Sequence, residues 1–182
     1  MKYTTLILCS ALALASCGEK KSTPDEAAPA SAGATLETLI VTSSPAGALS
    51  ITEARKSPEV GKVVTLEGKV MGHVDPFVQG RAMLILGDPA VITSCDLRPG
   101  DSCTTPWDVC CDDNDVIKAA TTTIQVLDQD GMLIKQGLKG LHGIKELSEL
   151  VVQGTIAEGS HDDNLLINAT KIFVKPSNPS NH

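Results

Sequence analysis

The segment Gly61-Lys62-Val63-Val64-Thr65-Leu66-Glu67-Gly68-Lys69-Val70-Met71-Gly72 constrains this chain more than any other. Val64, Leu66 and position 68 alternate with Thr65, Glu67 and Lys69. That is the period of a strand with one buried face. A glycine at a buried strand position marks a bend or bulge, the device by which a small barrel turns a corner. Aromatic residues make up only 2% of the 182 residues, so a core must be assembled from Val, Ile, Leu and Ala.

Further strands are expected along the chain. Arg81-Ala82-Met83-Leu84-Ile85-Leu86 stops at Gly87-Asp88-Pro89. Thr121-Thr122-Thr123-Ile124-Gln125-Val126-Leu127 runs into Asp128-Gln129-Asp130-Gly131, a hairpin turn signal, and Met132 to Leu138 returns from it. Leu150-Val151-Val152-Gln153-Gly154-Thr155-Ile156 and Leu165 to Val174 make a terminal hairpin around a loop over residues 158–164. Two short helices accompany them. Ser50 can cap one, with Glu53 three residues later in the position of a capping box and Pro58 beyond its end. Ile144-Lys145-Glu146-Leu147 reads as the other.

These elements predict an all-β domain, a five-stranded barrel with one or two short helices, with an open β-sandwich as the alternative. The opening strand Gly61–Val70 resembles that of oligonucleotide/oligosaccharide-binding (OB) fold proteins. Val151-Val152-Gln153-Gly154-Thr155-Ile156 and Leu166-Ile167-Asn168-Ala169-Thr170-Lys171-Ile172 resemble their closing hairpin. The resemblance covers residues 50–175 and implies a fold rather than an activity. The chain also resembles uncharacterised bacterial lipoproteins that share Pro76-Phe77-Val78-Gln79-Gly80-Arg81-Ala82 and Thr105-Pro106-Trp107-Asp108-Val109-Cys110-Cys111.

The N-terminus carries an address. Lys2 precedes the apolar run Leu6 to Ala15, which is too short to span a bilayer and reads as a secretory signal peptide over residues 1–16. Leu14-Ala15-Ser16-Cys17 looks like a bacterial lipobox, which implies acylation of Cys17 and removal of what precedes it. Each buried methylene of an acyl chain contributes about 0.8 kcal/mol, so two or three chains hold a stable anchor, with the lipid bilayer as partner. Gly18 rather than an aspartate follows the cysteine, which by analogy favours the outer membrane, facing the periplasm. Residues 17–45, rich in Ala, Pro, Ser, Thr and Gly, read as a lipidated flexible tether about 30 Å in end-to-end distance. The barrel domain is expected over 46–175 and a polar tail over 176–182.

Between the second and third barrel strands lies a long insertion, residues 88–119. It holds Cys95, Cys103, Cys110 and Cys111 as well as Trp107 and the acids Asp96, Asp101, Asp108, Asp112, Asp113 and Asp115. A loop of this length without structure of its own needs a staple or a function. Export places the thiols in an oxidising compartment. An even count fits two disulfides, either Cys95–Cys110 with Cys103–Cys111 or Cys95–Cys111 with Cys103–Cys110, since a vicinal Cys110–Cys111 bridge has poor geometry. The competing expectation is a thiolate site for zinc or copper. Its spacing, Cys-x7-Cys-x6-Cys-Cys, lacks the paired Cys-x2-Cys knuckles of common zinc modules. Trp107 is expected to pack over the sulfurs or cap the barrel end, or else to offer a ligand platform.

His73 and Asp75 fall in the first inter-strand loop and His161 and Asp162 in the last. In OB folds these two loops flank one groove, so with Arg81 on the second strand and Trp107 they form the candidate binding face. Turns also favour Asp and Asn for reasons of backbone geometry alone. Asp112-Asp113-Asn114-Asp115 lacks an EF-hand layout and reads as a solvated stretch that caps a helical turn. No Gly-x-Ser-x-Gly or His-Glu-x-x-His occurs, and Gly137-Leu138-Lys139-Gly140-Leu141-His142-Gly143 matches no phosphate loop.

The functional expectation is a membrane-anchored envelope lipoprotein, not an enzyme, whose barrel recognises a protein or saccharide without any cofactor. The alternatives are a thiolate metal-binding envelope protein and, from fold analogy, a nucleic-acid binder. A net charge of −7 and four aromatic residues weigh against the last.

Overall fold

The structure, a computed structural model, describes residues 36–100, 102–161 and 163–177. Helix α1 (Leu36–Leu39) and the two-residue strand β1 (Leu49–Ser50) lead into helix α2 (Ile51–Arg55). Five longer strands follow: β2 (Val63–Lys69), β3 (Met83–Gly87), β4 (Thr121–Gln125), β5 (Glu149–Ile156) and β6 (Leu166–Val174). Helix α3 (Asn114–Ala120) lies in the insertion between β3 and β4.

The strands pair in the order β1-β2-β3-β4-β6-β5, and β5 returns to β2 to close a barrel. The closing ladder is antiparallel from Val63 opposite Thr155 to Lys69 opposite Glu149. β4 and β6 run parallel, with Ile124 opposite Ile167, while the other barrel pairs are antiparallel. Five strands with one parallel pair give the OB-like topology and exclude the open sandwich. The closure is tightest between β2 and β5, while β2 and β3 share only the pair Lys69–Gly87.

The alternation seen in the opening strand is what fills the barrel. Leu66 is fully buried while Glu67 is exposed, and Lys69 is only half-buried. Leu84, Leu86, Ile124, Leu150, Val152, Ile167 and Ile172 complete the interior with no exposure to solvent. Burial of such a side chain contributes about 1.5–3 kcal/mol, and aliphatic side chains suffice here without a buried ring. Gly68 permits the bend: a Cβ there would come within 3.0 Å of the Gly87 carbonyl and of Ile51 Cδ1. Gly154 sits at the bulge between β5 and β6, where a Cβ would stand 2.4 Å from the Asn168 carbonyl.

Three expectations change. The ordered domain starts before residue 46: Leu36 and Leu39 are buried in the barrel core, and Ile40 bridges to Ile172. An apolar helical turn that packs into the core gains by burial what a solvated tether does not, so the tether boundary at 45 is too late; residues 17–35 lie outside the described residues. The helix expected over 144–147 does not form. Leu147 adopts φ 65°, and its N–H donates to the Val70 carbonyl at 2.9 Å, which extends the β2–β5 ladder instead. A short 3-10 turn occupies Leu141–Gly143. The return from the Asp128 turn makes only a single bridge, Leu127 to Leu133, rather than a strand. The Ser50 cap is present, with its side chain accepting from the Glu53 N–H at 3.2 Å.

Candidate functional site

The insertion between β3 and β4 is ordered by contacts that involve no sulfur–sulfur bond. A second apolar cluster of Met71, Ile92, Val109 and Ala120, with Ile117 against it, lies under the loop. Backbone pairing folds the loop on itself: the Cys95 N–H donates to Asp108 at 2.8 Å and the Asp96 N–H to Pro106 at 2.9 Å. Asp112 accepts from the Thr93 N–H at 2.9 Å and from the Arg98 guanidinium, which ties the two arms together. Lys69 on β2 reaches Ser94 Oγ at 3.1 Å. Trp107 is half-buried; its Nε1–H donates to the Val74 carbonyl at 2.8 Å, and its own carbonyl accepts from Gly72 at 3.4 Å. The indole therefore bolts the loop to the β2–β3 connection. Asp113 caps α3 by accepting from the Asp115 N–H at 2.9 Å, as the acidic stretch predicts.

This folding gathers three of the four loop cysteines. The Sγ atoms of Cys95, Cys103 and Cys110 all lie within 4.8 Å of one another. Cys95 and Cys110 approach to 3.8 Å. Cys95 is buried, Cys103 is half-buried and Cys110 is exposed, so the group opens to solvent on one side. Cys111, next in sequence, is exposed and is not part of the group. No pair of these sulfurs is at bonding distance, so neither expected two-disulfide pairing is present. The loop has structure of its own without a staple, from the apolar cluster and the Arg98–Asp112 pair, neither of which is visible in the spacing of the cysteines.

The electrostatics of the three thiols differ. The Thr105 hydroxyl, 3.4 Å from Cys103 Sγ, and the Thr105 backbone hold the Cys103 thiol below its ordinary value. At Cys110 the contact with Cys95 pulls the same way. Desolvation and the neighbouring Cys111 and Cys103 outweigh it, so that thiol is pushed up. Thr105 and the Arg98–Asp112 pair carried no sequence signal; only the folded loop shows what they touch.

The other predicted site residues stay apart from this group. His73 Nδ1 accepts from the Asp75 N–H at 3.0 Å, and His161 Nδ1 accepts from the Asp163 N–H at 3.3 Å. Each histidine thus fastens its own turn. Asp162 lies outside the described residues. Arg81 is exposed and donates to the Gly80 carbonyl at 3.1 Å. Among the described residues, Cys95, Cys103 and Cys110 are the one group of three His, Cys, Asp or Glu side chains close enough to share an ion. A separate cleft of about 610 Å³ is lined by Pro76, Phe77, Leu138, Lys139 and Glu146. Its cation already pairs with Glu146 and sits 5.9 Å from the Phe77 ring.

Compared with models of protein families, with curated proteins and with solved structures, the chain matches none.

Proposed function

We propose that this protein is a lipid-anchored envelope domain that binds a soft or borderline metal ion through Cys95, Cys103 and Cys110, with the barrel as a rigid, non-catalytic scaffold. The observation that carries this reading is the convergence of three sulfurs within 4.8 Å on a loop that other contacts already hold. A metal–sulfur bond of about 2.3 Å places sulfurs about 3.8 Å apart around a tetrahedral ion and about 4.0 Å around a trigonal one. The Cys95–Cys110 separation of 3.8 Å falls at that spacing. Anchoring rests on Leu14-Ala15-Ser16-Cys17; no helix among the described residues is long and apolar enough to cross a membrane. Cys17→Ser should release the protein from the envelope or block its processing, and an unchanged membrane fraction would remove the lipoprotein reading.

The 3.8 Å contact also favours a second reading, in which Cys95 and Cys110 are joined as a disulfide after export and the barrel binds a protein or saccharide. Intact mass of full-length protein purified in detergent without air decides between them. A metal site predicts one ion per chain, rapid alkylation of Cys111, and protection of the other three cysteines until a chelator is added. A metal-free mass two hydrogens below the reduced chain supports the disulfide and refutes the metal reading.

A further inference from the structure

We infer that the ion is monovalent copper, held by three thiolates and exchangeable rather than structural; this rests on the metal reading proposed above. The donor set carries the first half of the inference. Among the described residues, the group consists of three sulfurs, with no histidine or carboxylate close enough to join it. The nearby acids are engaged elsewhere. Asp108 accepts from the Val109 N–H at 2.8 Å, Asp112 from Thr93 and Arg98, and Asp113 caps α3. Asp96 lies 3.7 Å from the Lys69 ammonium. Zinc in closed sites takes four ligands in a tetrahedron. Thiolates take copper(I) and zinc alike, and of the two copper(I) is the ion that three ligands satisfy in a trigonal plane with no fourth.

The architecture of the loop carries the second half. A structural metal is one whose removal unfolds the segment around it. Here Met71, Ile92, Val109 and Ala120 pack together at the base of the loop, and the Cys95–Asp108 and Asp96–Pro106 backbone bonds close it through groups that are not metal ligands. The support of the loop thus lies outside the three sulfurs. Cys95 forms the inner wall and Cys110 the exposed rim, so an incoming copper(I) complex can approach from the solvent side. Transfer is then a ligand exchange: each thiol gives its proton to solvent or to the departing ligand, and its copper–sulfur bond forms as one bond to the donor breaks, with no change of oxidation state. The exposed Cys111 thiol stands beside this rim without belonging to the site.

The test is an anaerobic titration of the full-length protein in detergent, with copper(I) supplied as its bicinchoninate complex and, separately, with zinc(II) alone. One copper per chain is expected, with three sulfur neighbours by X-ray absorption, retained against about a hundredfold excess of zinc. Cys103→Ser should weaken copper binding by more than about 100-fold, whereas Cys111→Ser should change it less than about twofold. Far-UV circular dichroism of both variants checks that the barrel persists, and amide exchange of the metal-free wild type should show the loop protected. If zinc binds one per chain and displaces copper, the copper assignment falls while the thiolate site stands. If neither ion binds the reduced protein, both fall. An equal loss in Cys111→Ser overturns the three-sulfur site, and a loop that orders only on metal addition overturns exchangeability.

Discussion

Replacing Val109 by Ala tests directly whether the loop that carries the cysteines is held by packing rather than by sulfur chemistry. Val109 is 1% exposed and packs with Met71, Ile92 and Ala120 immediately before Cys110. The substitution removes two methyl groups. At about 0.8 kcal/mol per buried carbon the transfer loss is about 1.6 kcal/mol. An uncollapsed void of about 40 Å³ adds about 1 kcal/mol at ~24 cal/mol per Å³. The expected cost is therefore about 2–3 kcal/mol, concentrated on residues 88–120, because the barrel strands bury a separate cluster. Native-state amide exchange of reduced, metal-free protein measures this locally. The Cys95 and Asp96 amides, which donate to Asp108 and Pro106, should lose about 30- to 150-fold in protection, while those of β5 and β6 keep theirs until global unfolding. An unchanged exchange rate at Cys95 and Asp96 would refute the reasoning. So would an unprotected loop in the reduced wild type, since sulfur bonds or a metal would then be its real support.

Two further outcomes follow from the barrel. Gly154→Ala should lower stability by roughly 1–3 kcal/mol, read as a lower urea midpoint, because the new Cβ meets backbone at Asn168 and Ala169 that cannot rotate away; an unchanged midpoint would mean that the bulge yields freely. Asp88, 1% exposed, accepts from the Thr52 hydroxyl at 2.7 Å, the Thr52 N–H at 3.2 Å and the Ala90 N–H at 3.1 Å. Burial pushes its carboxyl up, but these donors outweigh burial and hold it below the usual aspartate range. A depressed value means that the stabilisation is present above about pH 4 and is lost as the pH falls through the folded-state value. Asp88→Asn should therefore cost about 1–3 kcal/mol at pH 7 and progressively less below pH 4, in parallel urea titrations. A difference that does not vary with pH would show that the charge of Asp88 contributes nothing.

Local periodicity was enough to define the barrel. Val64, Leu66 and Gly68 declare a one-faced strand with a bend, and Ser50 with Glu53 declares a helix start; each depends on neighbours within a few residues. Ile144–Leu147 misled because a short apolar stretch suits a helix or a ladder equally, and the Val70 carbonyl, 77 residues before Leu147, decides the matter. Leu36 and Leu39 misled in the same way: their neighbours suggest a tether, and only the barrel core, built from distant strands, gives them something to pack against. The site divides along the same line. Composition and spacing placed four cysteines in one loop between two barrel strands. They did not say which three meet, because that depends on Asp108 and Pro106 pairing with Cys95 and Asp96 and on Val109 burying against Met71 from another strand's end. Periodicity is written in adjacent residues, whereas the convergence of three sulfurs is a property of how distant segments pack, and only the tertiary structure contains it.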